Sequence, residues 1–183
     1  MLRVIFGRQI DQVERRFGYD ATYLRQMLRI SWISFIKFGI LTQLVDRKAA
    51  PGELLAAAGI AATLVEDCGP CTQISVDKAA AGGIHPATLR AILAGDEAAM
   101  GQTASLGWRF AQASMLRDMA TADPLRDEIV GRWGERGLLA VSLAITTGRM
   151  YPTVKYALGY GKTCSRVMVE GQPTPVVHIA QAA

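Results

Sequence analysis

Residues 53–71 read Glu53-Leu54-Leu55-Ala56-Ala57-Ala58-Gly59-Ile60-Ala61-Ala62-Thr63-Leu64-Val65-Glu66-Asp67-Cys68-Gly69-Pro70-Cys71. The stretch joins a run of small and aliphatic residues to two cysteines three positions apart. Alanine and leucine lose little freedom in a helix, whereas strands favour β-branched and aromatic residues. The run therefore predicts a helix over Gly52 to Val65, with Pro51 in its first turn, where a missing N–H removes no bond. Cys68-Gly69-Pro70-Cys71 interrupts that helix and opens another, predicted to reach Ala81 and to stop at Gly82-Gly83. A dithiol between two helices, with no strand leading into it, points to an all-α fold.

The rest of the chain repeats the helical period. Asp20 is placed to cap a helix through Leu24, Met27, Leu28, Trp32, Phe35 and Ile36. The most apolar stretch, Leu28 to Val45, contains Arg29 and Lys37. A membrane span needs about 20 largely uncharged residues, so this stretch is read as a buried helix. Pro86 opens a short helix to Leu93, closed by Gly95. Met100, Ala104, Trp108, Ala111, Met115 and Met119 fall on one helical stripe. Asp123-Pro124 is expected to start a helix to Trp133, and residues 137–161 to be helical with a kink or break near Pro152. Residues 162–183, with Val167-Met168-Val169 and Pro173-Thr174-Pro175, read as an extended tail. The expected organisation is one all-α domain over 1–161 followed by that tail.

Of the 183 residues 50% are hydrophobic and 20% charged, a balance that favours a packed core over disorder. The net charge of +4 is concentrated early: residues 1–50 hold nine Lys/Arg against four Asp/Glu. Asp11, Glu14 and Asp20 interrupt this basic third, and no nucleic-acid motif accompanies it, so it is read as a solvated helix face. Neither nucleic acid nor a membrane is expected as a partner. Residues 1–16 contain four arginines and no continuous apolar segment of the signal-peptide kind. Three cysteines without an export signal suggest a reducing, cytoplasmic setting, where Cys-x-x-Cys is more often catalytic or metal-binding than structural.

The thiolate is the reactive form of cysteine, and a helix N-terminus favours it through unpaired N–H groups and aligned peptide dipoles. A helix starting near Gly69-Pro70 places both sulfurs in its first turn. Glu66 and Asp67 oppose thiolate formation by like charge, yet either can carry a proton as a disulfide closes. Three other readings of the tetrapeptide stand beside this one. Thioredoxin shares Cys-Gly-Pro-Cys, but its fold feeds a β-strand into the motif. Zinc would need further ligands from Cys164, His85 and His178, which offer no second paired spacing, so no metal site and no cofactor is expected. Two buried packing cysteines are the third reading.

With this pattern the chain resembles the alkylhydroperoxidase D-like / carboxymuconolactone decarboxylase superfamily. The segment Leu64-Val65-Glu66-Asp67-Cys68-Gly69-Pro70-Cys71-Thr72-Gln73 looks like its signature of helix, dithiol and helix. The resemblance implies an all-α bundle that assembles into homo-oligomers. It also implies a dithiol that reduces peroxides or disulfides and is recharged by lipoyl- or thioredoxin-type donors. On that basis Cys71 is the attacking cysteine and Cys68 its resolving partner. Where the family carries histidine four positions after the second cysteine this chain has Ser75. The family's upstream glutamate falls near Ala56, with Glu53 one turn away. Proton relay would then pass to Glu66, Asp67 or water.

His85 is a candidate substitute base if the chain returns it to the thiols; otherwise it is a loop histidine. Cys164 is either a third redox thiol or a buried filler. Tyr151, Tyr156 and Tyr160 line a pocket or pack with their hydroxyls outward. The candidate catalytic residues are Cys68, Cys71, Glu66 and His85. The reading from another functional class is a helical oligomeric binding or redox-sensing protein with structural cysteines. A decarboxylase activity ranks last, because no carboxylate-binding residue stands out.

Overall fold

The computed structural model describes residues 2–17, 20–41, 43–160 and 167–179. Among them eight helices and one two-stranded hairpin follow in order: α1 (Leu2–Phe17), α2 (Thr22–Ile30), α3 (Trp32–Leu41), α4 (Gly52–Val65), α5 (Gly69–Ala81), α6 (Pro86–Ala94), α7 (Gln102–Leu116), α8 (Met119–Ala157), β1 (Val167–Val169) and β2 (Gln172–Thr174). The all-α class holds.

The main core is built round α4, which packs mostly on α7 and α8. Ala57, Ala58, Ala61 and Ala62 are buried and bring its backbone close to both neighbours. Two glycines permit that approach. A Cβ on Gly107 of α7 would fall on the Leu54 carbonyl oxygen, and one on Gly148 of α8 would lie 2.7 Å from the Gly59 oxygen. Trp108, Ile60, Leu89 and Ile129 fill the remaining volume. A smaller cluster of Ile10, Ala21, Tyr23 and Leu28 joins α1 and α2 to the end of α8, with Val154 and Leu158 against it.

Several expectations near the N-terminus are corrected. The helix expected from Asp20 through Ile36 is broken at Ser31, which is extended (φ −149°, ψ 102°). Its hydroxyl accepts from the Ser34 N–H at 3.2 Å, so serine chemistry caps α3 and outweighs the apolar period. Beyond Leu28 the stretch read as a buried helix is not buried: α3 has no buried residue, and Ile33, Ile40 and Leu41 are exposed. Its contacts are made by Phe35 on Phe6 and by Phe38, edge-on to Tyr151 at 4.8 Å. Helix α1, to which the periodicity assigns nothing, is held by tertiary contacts. Ile10 enters the small cluster, and Arg25 of α2 bridges to Asp11 at 2.7 Å and to Glu14.

The helix expected to begin at Asp123-Pro124 begins at Met119, because Asp118 accepts from the Thr121 N–H and caps it. Pro124 then lies in the second turn, where the carbonyl it leaves without a donor belongs to exposed Ala120 and can be met by water. The helix expected to end at Trp133 does break there, at Gly134 (φ 68°, ψ −179°), a conformation essentially restricted to glycine. The break expected near Pro152 does not occur, and α8 runs through it to Ala157. Met119, expected on the Trp108 stripe, is exposed at the start of α8.

The extended tail forms a hairpin that docks on the bundle. Glu170 and Gly171 both have positive φ, as a tight two-residue hairpin turn requires. Gln73 of α5 acts as a third strand would, donating to the Met168 carbonyl at 3.1 Å and accepting from its N–H at 2.6 Å. Val167 and Val169 are buried in the main core, and the Val177 N–H donates to the Leu93 carbonyl at 2.8 Å.

Candidate active site

The chain between α4 and α5 is short and tightly held. Glu66 ends α4, Asp67 turns the backbone through a left-handed conformation (φ 48°), and Cys68 stands at the N-cap of α5. Thr72 donates to the Cys68 carbonyl from both its N–H (2.9 Å) and its hydroxyl (3.1 Å). Two side chains of α8 grip the same turn. The Tyr156 hydroxyl lies 2.9 Å from the Glu66 carbonyl and 2.8 Å from that of Asp67. Arg149 Nε lies 2.6 Å from Glu66 Oε1, whose side chain is only 10% exposed.

Cys68 and Cys71 form a disulfide with Cα atoms 5.3 Å apart, within the range such a bridge spans. Pro70 and Cys71 follow Gly69 in the first turn of α5, the position that stabilises a thiolate once the bridge is reduced. Both cysteines are buried, at 3% and 5% exposure. They differ in what they face. Cys68 looks toward the docked tail, beside Asp67, Val167, Val177 and His178. Cys71 is part of the wall of a cavity of about 550 Å³.

That cavity lies at the seam between the two hydrophobic clusters. Its floor is one face of α5: Cys71, Ile74, Ser75, Lys78, Ala79 and Gly82, spaced as one helical stripe. Leu55, Ile60 and Thr63 of α4 and Tyr151 of α8 stand opposite, and Val13, Phe17, Tyr23 and Leu24 of α1 and α2 close it. Arg47, from the segment between α3 and α4, and Lys78 are both exposed and mark its opening to solvent. Partial burial of the Lys78 side chain, and then the charge of Arg47, hold that lysine below its ordinary pKa. Among the described residues no Asp or Glu lines this cavity.

The expected site residues are distributed unevenly about it. Cys68, Cys71 and Glu66 are neighbours, but Glu66 is bound to Arg149 and is not in the cavity wall. His85 is exposed and absent from that wall; its Nδ1 accepts from the Ala87 N–H at 3.2 Å and caps α6. Ser75 does occupy the wall, one turn beyond Cys71, as does Ala56, whereas Glu53 is exposed and outside it. His178 lies 3.9 Å from Asp67 on the Cys68 side. Cys164, and the domain boundary expected at 161/162, lie outside the described residues. Of the three tyrosines, Tyr151 lines the cavity, Tyr156 holds the turn, and Tyr160 packs on the smaller cluster.

Three contributors are new relative to the sequence reading, Lys78, Arg47 and Arg149, and Tyr156, named there as a pocket or packing tyrosine, takes a different role. Lys78 was accessible to it, because seven residues after Cys71 is the same helix face. The other three are brought in by tertiary packing. Among the described residues no group of three or more His, Cys, Asp or Glu gathers as a metal site, and no helix is long and apolar enough to cross a membrane. Comparison of the chain with protein-family models, with curated proteins and with solved structures finds no match, so its chemistry is argued from this geometry.

Proposed function

We propose that this chain is a thiol–disulfide oxidoreductase in which Cys71 attacks and Cys68 resolves. The observation that carries the reading is the asymmetry of the pair: Cys71 borders a cavity of ligand size, and Cys68 does not. With a hydroperoxide, the Cys71 thiolate attacks the distal oxygen and the O–O bond breaks. The alcohol leaves with one proton, and Cys71 becomes a sulfenic acid. The Cys68 thiol then displaces water from that sulfur and closes the disulfide. A dithiol donor, of lipoyl or thioredoxin type, restores both thiols by two exchanges and leaves oxidised. With a disulfide substrate the same thiolate attacks sulfur, and the first leaving group is a thiolate.

The resemblance of residues 64–73 to the alkylhydroperoxidase D-like superfamily supports this assignment and with it a homo-oligomer, for which the exposed apolar side chains of α3 supply a surface. Glu66 serves through its bond to Arg149, holding the turn, and His85 serves as a helix cap. Ser75 and water carry protons on the cavity side. The burial of both sulfurs is the observation that favours the rival reading, a binding protein with structural cysteines. Consumption of cumene hydroperoxide with dithiothreitol as donor separates the two in wild type, Cys71→Ser and Cys68→Ser. The oxidoreductase reading expects turnover to be lost in Cys71→Ser and altered in Cys68→Ser, where dithiothreitol must reduce the sulfenic acid directly; equal rates in all three proteins leave only the binding protein.

A further inference from the structure

The Cys71 cavity combines a largely apolar interior with two exposed cations in its wall, and among the described residues no acidic side chain lines it to neutralise them. Neither Arg47 nor Lys78 forms an ion pair with an Asp or Glu among the described residues. Asp46, the acid next to Arg47 in sequence, is engaged by Arg136 and by the Lys48 N–H. Two like charges brought together at the rim of an apolar space repel one another, and an anion between them relieves that repulsion. The other polar side chains of the wall are the hydroxyls of Ser75, Thr63, Thr147, Tyr23 and Tyr151; those of Thr63 and Thr147 already donate within their own helices, so the wall suits few further hydrogen bonds and not a polyanion. At about 550 Å³ the space is in the range that encloses a small organic ligand.

We infer that the cavity takes a linear aliphatic monocarboxylate, with its chain among the apolar side chains and its carboxylate between Lys78 and Arg47. Seven residues separate Lys78 from Cys71, a rise of about 10 Å along α5. A carboxylate held at Lys78 therefore presents a carbon well down its chain to the sulfur. The substrate class that follows is a fatty-acid hydroperoxide oxidised along its chain. This last step rests on the thiol–disulfide reading; the binding itself does not.

Calorimetric titration of the wild-type disulfide form with decanoate, decan-1-ol and decyltrimethylammonium, each below its micellar concentration, tests the inference. Decanoate is expected to bind about tenfold more tightly than decanol, and decyltrimethylammonium not to bind. Lys78→Gln and Arg47→Gln are each expected to weaken decanoate about three- to tenfold and to leave decanol unchanged. In the reduced protein, bound decanoate is expected to slow alkylation of Cys71 and not of Cys68. Equal binding of decanoate and decanol, no binding of decanoate, or binding that leaves Cys71 labelling unchanged would each overturn it. The titration involves no turnover, so its failure leaves the redox reading standing. Unchanged peroxide consumption by Cys71→Ser would remove that reading and leave the binding result intact.

Discussion

Arg149 of α8 and Glu66 at the end of α4 meet at 2.6 Å, and their contact anchors the turn that presents the disulfide. Glu66 is nearly enclosed, so removing its partner strands a charge. Arg149→Gln is expected to lower unfolding stability by about 1–2 kcal/mol. The double variant Arg149→Gln/Glu66→Gln is expected to recover part of that loss, since no uncompensated carboxylate remains. Urea melts of the three proteins and wild type check this; strict additivity would show that the pair does not interact.

Tyr156 holds the same turn from a different position, its hydroxyl shared between the carbonyls of Glu66 and Asp67. Tyr156→Phe keeps the ring and removes that donor. The expected cost is about 0.5–1.5 kcal/mol, together with faster hydrogen exchange of the amides at residues 66–68. Exchange unchanged in that turn would place its rigidity elsewhere.

The helix sandwich makes a sharper contrast between two glycines. Gly107→Ala drives a methyl group into the Leu54 carbonyl, a backbone atom that cannot rotate away. A loss of about 1–3 kcal/mol, or failure to accumulate as folded protein, is expected. Gly131, on the exposed side of α8, has a helical backbone, and a Cβ added there would meet nothing within 4 Å. Gly131→Ala is expected to stabilise by about 0.5–1 kcal/mol. Thermal melts of the two variants should move in opposite directions.

Lys78 yields a pH prediction with a definite sign. Its folded pKa lies below the ordinary lysine value of 10.5, so the native state gives up this proton before the unfolded state does. Between the two values the unfolded chain binds more protons, and this group's contribution to stability rises with pH. Below the folded pKa the cost of holding a charged Lys78 is fully present. Lys78→Met is therefore expected to raise the melting temperature of the ligand-free protein at neutral pH. That gain is expected to shrink as the pH climbs through the folded pKa toward 10.5. A gain that stays constant over that interval would contradict the assignment.

The helices flanking the dithiol were legible because strong punctuation surrounds them. Pro51, Cys68-Gly69-Pro70, Gly82-Gly83, Pro86 and Gly95 set the ends of α4, α5 and α6 within a residue or two. Elsewhere short-range polar chemistry prevailed over apolar period. Ser31 split the N-terminal helix, and Asp118 started α8 five residues before the expected acid-proline pair. Proline was the wrong guide at Pro152, where α8 continues without a break, whereas the end expected at Trp133 falls beside Gly134, which holds a glycine-only backbone conformation. At the site, the dithiol and its position on α5 could be read directly, and Lys78 by extending the same face. Arg47, Arg149 and Tyr156 could not, because each reaches the site from a segment remote in sequence, and no local pattern records such an approach.

The central claim is that Cys71 is the thiol that meets the substrate from the cavity. It is tested most directly by treating reduced Cys68→Ser with one equivalent of cumene hydroperoxide in the presence of dimedone, which traps sulfenic acid, and locating the adduct by peptide mass spectrometry. The account predicts a near-stoichiometric dimedone adduct on Cys71, and none on Cys68 in the matching Cys71→Ser protein. An unmodified Cys71, or an equal adduct on Cys68 in Cys71→Ser, would contradict it.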